Sequence, residues 1–272
     1  MSPTPLTDER ISTAVGKIQL WRGGQGDALV YLHSAAGEAV GTPLLEDLAD
    51  SFSVAAPLFP GFGESEGMDE IDDMEDAAFH LLDLWDQLGL GAPAVVGTSL
   101  GGWMAAELAT RNPEKVGSLV LVNPAGLYVE GAPVGEIFGR PPNELARDLF
   151  ADESHPFVVA ADQMAQMTNM KMEPPFELIR PMLQSLAATA KVAWNPYLHN
   201  PKLVRRLHRV TAPTLIVHGA QDRLIPRAHA ETYAARIPKA RLVDVEGAGH
   251  MLPMEKPAEL AALVREHVTS RP

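Results

Sequence analysis

Six short β-like runs recur along the chain, most of them apolar on both alternating faces: "ALVYLH" (28–33), "FSVAAP" (52–57), "APAVVG" (92–97), "GSLVLVN" (117–123), "PTLIVHG" (213–219) and "ARLVDVEG" (240–247). A strand with one wet face alternates apolar and polar residues. A run that is apolar on both alternating faces is covered on both sides, as in a parallel sheet. The earlier stretch "STAVGKIQLWRG" (12–23) alternates more and predicts an antiparallel edge hairpin. Between the runs the period lengthens to that of a helix. In "IDDMEDAAFHLLDLWDQLGL" (71–90), Asp72, Asp73, Glu75 and Asp76 suit the positive end of a helix dipole. Ala78, Leu81, Leu82, Trp85 and Leu88 then recur at helical spacing, and Gly89 is placed to stop the helix. "LGGWMAAELATRNP" (100–113) is rich in helix formers and ends before Pro113. "PRAHAETYAARIP" (226–238) and "PAELAALVREHV" (257–268) each begin with proline, which is favoured at the first helical position. Strands alternating with helices predict an α/β fold, a mostly parallel sheet with helices on both faces.

One segment breaks this rhythm. Residues 127–210 offer no convincing buried strand and read as several helices separated by the prolines at 141–142, 174–175 and 196. The segment is far too long for a simple connection. It reads as a helical insertion after the sixth strand, so the chain divides into a core of 1–126 and 211–272 and an insertion of 127–210.

The third of the apolar runs leads directly into "GTSLGG" (97–102) and then a helix. Strand, G-x-S-x-G, helix is the setting of a nucleophile elbow. A sharp turn there lifts the Ser99 hydroxyl above the strand end, with Gly97 and Gly101 free of side chains that would collide. The helix that follows offers its N-terminus to a developing negative charge. A glycine-bearing turn with a capping serine gives the same letters, so the pattern alone does not decide.

A serine hydroxyl needs a base, and the base is best held by a carboxylate. His250 lies in "VEGAGHMLPMEKP", after the last strand and before the last helix. Asp222 lies in "VHGAQDRLIP", just past the end of the preceding strand. Loops at strand C-terminal ends are where open α/β sheets place ligands. The order Ser99, Asp222, His250 is the chain order of a Ser-Asp-His triad on this kind of sheet.

Composition narrows the classes. The 22 Lys and Arg against 35 Asp and Glu give a net charge of −13, the opposite of a nucleic-acid footprint and unsuited to anionic membranes. No cysteine is present, which excludes disulfides, thiolate catalysis and cysteine-ligated zinc. No convincing metal-ligand spacing occurs. No uncharged apolar run approaches the roughly 18 residues of a membrane span, and "MSPTPLTDER" lacks the pattern of a signal peptide, so a cytoplasmic location is expected.

These residues resemble those of α/β-hydrolase-fold serine hydrolases, over nearly the full chain. The matching pieces are "YLHSAAG" (31–37), "FPGFGES" (59–65), "VVGTSLGGWMA" (95–105), "LVNPAGL" (121–127), "LIVHGAQDRLIP" (215–226) and "GAGHMLPMEKP" (247–257). The resemblance implies a capped, carboxylesterase-like enzyme without cofactor or metal, working through an acyl-enzyme. Ser99 would attack, His250 move the proton and Asp222 orient the imidazole. The insertion would be the cap. The backbone N–H groups of Leu100 and Ser34 would form the oxyanion hole, although this loop reads His33-Ser34 where the family usually has His-Gly. Leu58 also stands where the family often has Asp.

The insertion holds Phe157, Met164, Met167, Met170, Met172, Phe176, Met182 and Trp194. Most should pack the cap on the sheet. Met164, Met167, Trp194 and, beside the histidine, Met251 are the expected pocket residues, and methionine makes an adaptable apolar wall. No Arg/Lys cluster marks a clamp for a carboxylate or phosphate, with Lys171, Arg180 and Lys191 unplaced. The expected partner is a small ester-like molecule, with a lactone or thioester as the alternatives, on a monomer or homodimer. C–C hydrolases of ring-cleavage dienones share this layout but commonly carry Trp directly after the histidine, where Met251 stands. Epoxide hydrolases and haloalkane dehalogenases use Asp at the elbow. Acyl transfer and perhydrolysis need the same triad, and a ligand receptor on a hydrolase fold is the reading outside enzymes.

Overall fold

A computed structural model describes residues 5–39, 42–170 and 175–270. Its elements run β1 (Thr7–Thr13), β2 (Gly16–Gly23), β3 (Ala28–Leu32), α1 (Pro43–Ala49), β4 (Ser53–Pro57), α2 (Met74–Leu88), β5 (Ala94–Thr98), α3 (Leu100–Arg111) and β6 (Ser118–Val122). Then come α4 (Pro142–Leu149), α5 (Pro156–Asn169), α6 (Phe176–Ala193), β7 (Thr214–Gly219), α7 (Arg227–Arg236), β8 (Ala240–Val245), α8 (Leu252–Glu255) and α9 (Pro257–Thr269).

All six apolar runs form strands within a residue or two of the expected limits. β5, β6 and β7 are buried at every position, as runs covered on both faces should be. The edge hairpin begins earlier than its alternation suggested. β1 is the polar segment "TDERIST", mostly exposed, so no apolar rhythm announces it. The 15-residue helix α2 has the expected ends: the Asp73 carboxylate accepts from the N–H groups of Glu75 and Asp76, and Gly89 closes it in the left-handed region at φ 64°. Helix α1 carried no sequence expectation.

The eight strands form one sheet in the order β1-β2-β4-β3-β5-β6-β7-β8. β2 runs against its neighbours β1 and β4; the pairs from β4 to β8 are parallel. The path turns back at β3. From β3 the chain steps outward to β4 through α1, then returns across β3 to β5 through α2. Right-handed crossovers put connections of opposite direction on opposite faces. α1, packed on α9, therefore covers one face, and α2 with α3 covers the other. The loops after β3 and β5 diverge at this reversal, and a crevice opens there, as at switch points of open sheets generally.

α4, α5 and α6 lie between β6 and β7, where the insertion was expected. Among the described residues this segment adds no strand to the sheet. Its two stems meet in a single parallel bridge between Gly126 and His199. Met172 and Lys171 fall outside the described residues.

Candidate active site

The parallel register keeps the strand ends level: Leu32 pairs with Gly97, Thr98 with Val122, and Gly219 with Val245. The loops carrying Ser34, Ser99, Asn123, Asp222 and His250 thus leave one edge of the sheet together. Ser99 occupies the turn between β5 and α3 at φ 52° and ψ −110°, a strained conformation for a residue with a side chain. The backbone around it is too crowded for side chains. A Cβ on Gly97 would lie 2.4 Å from the Gly101 carbonyl oxygen, and one on Gly101 2.1 Å from that of Leu32. The glycines therefore clear backbone, not each other's side chains.

The structure brings Ser99, His250 and Asp222 into one chain. Ser99 Oγ donates to His250 Nε2 at 2.9 Å. His250 Nδ1 donates to Asp222 Oδ2 at 2.8 Å. The other Asp222 oxygen accepts from the N–H groups of Leu224 and Ile225, at 2.8 and 2.9 Å, which fixes the carboxylate plane. The His250 and Asp222 side chains are both buried. Such an arrangement can take the hydroxyl proton as Ser99 attacks and hold the resulting imidazolium against a carboxylate.

Two residues that carried no sequence expectation brace these loops. Asn123, fully buried at the end of β6, accepts from the Gly219 N–H and donates to the carbonyls of Gly249 and His250. Glu255 accepts from the N–H groups of Gly249 and Ala151, tying the histidine loop to the segment after α4. "LVNPAGL" showed the asparagine, but not that three strand ends converge on it.

The loop after β3 corrects one expectation. The Ser34 N–H, expected to face the reacting atoms, donates to both carboxylate oxygens of Glu38, at 2.9 and 3.0 Å. Ser34 Oγ has one proton; Glu38 Oε2 lies at 2.6 Å and Met251 Sδ at 4.0 Å, so the proton goes to Glu38. Tyr31 Oη also donates to Glu38, at 2.7 Å, and stands 3.1 Å from Thr98 Oγ1 beside the elbow. Burial and the nearby Glu38 charge push the Tyr31 phenol well up, so it keeps its proton. Next in the loop, Ala35 lines the cavity, and its N–H has no backbone partner among the described residues. Leu100 opens α3, so its N–H has no helical acceptor either. His33 is structural: Nδ1 donates to the Ser34 carbonyl and Nε2 accepts from the Phe59 N–H.

Ser99 and His250 open into a cavity of about 330 Å³. Its lower wall is the loop Ser34–Ala36 and Leu100. Its upper wall comes from α4 (Leu145, Ala146, Leu149), α5 (Phe157, Ala160, Ala161, Met164) and α6 (Pro181, Met182, Ser185, Leu186). Of the four expected pocket residues, Met164 and Met251 line this cavity and Met167 and Trp194 do not. Met167 lies nearly a turn beyond Met164, the last α5 residue on the wall. Trp194 is eight residues past Leu186, about 12 Å further along the helix axis; it is 62% exposed and packs on Phe138. Among the described residues, polar side chains on the wall are limited to Ser34, Ser99, Ser185 and His250, with no Lys, Arg, Asp or Glu. Arg180 and Lys191 face elsewhere, paired with Glu177 and Asp72. Among the described residues no group of three His, Asp or Glu side chains is arranged to hold a metal, and no helix is long and apolar enough to cross a membrane.

Comparison with known proteins agrees with this architecture. The chain is 30% identical over 256 residues to the dihydrolipoyllysine-residue acetyltransferase component of the acetoin cleaving system of Cupriavidus necator, covering 91% of this chain and 65% of that protein's length. It is 29% identical over 266 residues to the pimeloyl-[acyl-carrier protein] methyl ester esterase of Aromatoleum aromaticum, covering 88% of this chain and 97% of that one. Its fold superimposes on 2-hydroxy-6-oxo-6-phenylhexa-2,4-dienoate hydrolase from Rhodococcus sp. strain RHA1 with a TM-score of 0.79 at 22% identity, covering 98% and 100% of the two chains. The family model of the α/β-hydrolase fold matches residues 27–257, a span holding the sheet from β3 to β8, the helices between β6 and β7, and all three residues of the hydrogen-bonded chain, and the protein belongs to that family.

Proposed function

We propose that the protein hydrolyses a carboxylic ester with a small, largely apolar group, through an acyl-enzyme on Ser99. The observation that carries this reading is the Ser99–His250–Asp222 chain opening into an apolar cavity. His250 Nε2 takes the Ser99 proton as Oγ bonds to the ester carbonyl carbon. The same proton passes to the leaving alcohol oxygen as the C–O bond breaks. A water then repeats the sequence on the acyl-enzyme, giving up a proton to His250 and releasing the acid with Ser99 reprotonated. The carbonyl oxygen receives the Leu100 and Ala35 N–H groups while its charge develops. Residues 127–210 act as the cap that keeps this cavity dry. A volume near 330 Å³ is at the small end of ligand pockets, which run roughly 300–1,000 Å³.

The relative from Aromatoleum is named as a methyl ester esterase, which fits this chemistry. The dienoate hydrolase from Rhodococcus is named for a carboxylate substrate. A buried carboxylate is held most strongly by a cationic partner, and among the described residues no Lys or Arg lines the wall here. Ester cleavage is therefore favoured over cleavage of a dienoate. A fluorophosphonate probe followed by peptide mass mapping tests the reading, with a panel of p-nitrophenyl esters and a dienoate substrate run alongside. The expected result is a single adduct on Ser99 and turnover of short esters above the dienoate. An adduct elsewhere, or dienoate turnover far above every ester, overturns it.

A further inference from the structure

We propose that Ser185 binds a second oxygen on the substrate, so that the preferred ester carries one keto, hydroxyl or ether oxygen within its otherwise apolar group. This rests on the ester-hydrolase reading of the same cavity. Ser185 stands on α6, on the face that Pro181, Met182 and Leu186 also turn to the cavity. It is 8% exposed, and its hydroxyl has no hydrogen-bond partner among the described residues.

That is unusual within this molecule. A serine or threonine inside a helix commonly bonds back to the carbonyl four residues earlier. Thr168, Thr232 and Thr269 do so here, to Met164, Ala228 and Arg265. Ser185 leaves the Pro181 carbonyl alone. Thr189, one turn on, is also unpartnered, but it is sealed in the packing and does not reach the cavity.

The other polar groups on the wall are committed. Ser99 and His250 bond to each other, and the Ser34 hydroxyl donates to Glu38. Ser185 is then the one uncommitted side-chain donor and acceptor that the described wall offers. It lies across from the loop after β3: a Cβ built on Gly37 would be 3.7 Å from Ser185 Oγ. A buried hydroxyl left dry and unpaired is unfavourable, and a ligand oxygen that reaches it removes that penalty. Being neutral, and able both to donate and to accept, the hydroxyl suits a ketone, alcohol or ether and gives no special advantage to an ion.

The test uses matched ester pairs that differ by one oxygen. p-Nitrophenyl pentanoate is compared with its 3-oxo and 4-oxo analogues, and pentyl acetate with 4-oxopentyl acetate, to sample both sides of the ester. Wild-type enzyme is expected to prefer one oxo member by about tenfold or more in kcat/KM, chiefly through KM. In Ser185→Ala that ratio falls to near one, and Ser185→Thr, which keeps the hydroxyl, restores most of it. Alanine is the better helix former, so the first variant is expected to fold, and its thermal unfolding checks this. A ratio unchanged within threefold in Ser185→Ala for every pair overturns the proposal while leaving the ester reading intact. Failure of wild-type enzyme to hydrolyse even the parent esters overturns both.

Discussion

Glu38 accepts four hydrogen bonds from Ser34 and Tyr31, and nothing in its sequence neighbourhood announced it. The departure at Ser34 was legible, because one residue differs from the usual His-Gly. Its partner was not, because only the fold of the loop brings position 38 back onto position 34. A lone Glu in a loop reads as a solvated surface charge. Because Glu38 takes up the Ser34 N–H, the proposed ester hydrolysis relies on the Leu100 and Ala35 N–H groups instead. Glu38→Ala would leave the Ser34 N–H, the Ser34 hydroxyl and the Tyr31 phenol without their acceptor. The expected loss is about 3 kcal/mol of stability, from buried donors left unpaired. A fall in kcat of roughly tenfold should accompany it as the loop that carries Ala35 loosens. Glu38→Gln, which keeps one acceptor oxygen, should fall between. Urea unfolding and ester kinetics read both effects, and a Glu38→Ala protein that matches wild type in both would remove Glu38 from the account.

At the scale of elements, the turn between β5 and α3 was the most legible feature of the chain. A buried strand, two flanking glycines and a helix pattern could be read without the fold. The reason for the glycines could not. Gly101 faces the carbonyls of Leu32 and His33 at the end of β3, a contact between segments far apart in sequence. Any side chain there must push β3 away from α3 and open the gap between the Ala35 and Leu100 N–H groups. Gly101→Ala is therefore expected to lower kcat/KM by roughly 100-fold, the cost of a displacement near 1 Å at a reacting site. Differential scanning calorimetry should show a lower Tm as well. Near-wild-type activity and Tm would mean that the backbone absorbs the methyl group without moving the loop. Most of the polar strand β1 and all of the helix α1 went unread for a different reason: neither carries a long apolar period, and their position comes from packing on β2 and α9.

Over the whole molecule, the strands could be counted from the sequence but not ordered. The reversal at β3, which opens the crevice, depends on pairings between distant segments that no local pattern encodes. The interior has a property the sequence also concealed. His33, His80, His218 and His229 are buried, and burial is the largest cause lowering the pKa of each. For His80 the value falls to about 4, with Asp83 opposing weakly. The folded state thus holds these rings neutral, while the unfolded chain takes up protons below about pH 6.5. Stability is complete above that pH and declines as pH falls toward 4. His80 alone accounts for on the order of 3 kcal/mol across that window. Urea unfolding at pH 7.5, 6 and 5 should show the decline, and His80→Leu should flatten it. A pH-independent midpoint in the wild type over that range would contradict the assignment.

The central claim is that Ser99 forms the acyl-enzyme. It is tested most directly by steady-state hydrolysis of p-nitrophenyl butyrate by wild-type protein and Ser99→Ala, with matched thermal unfolding as the control for folding. The account predicts a fall in kcat of about 10⁴-fold or more, by comparison with the loss of a serine nucleophile elsewhere. A folded Ser99→Ala protein whose kcat stays within threefold of wild type would contradict it.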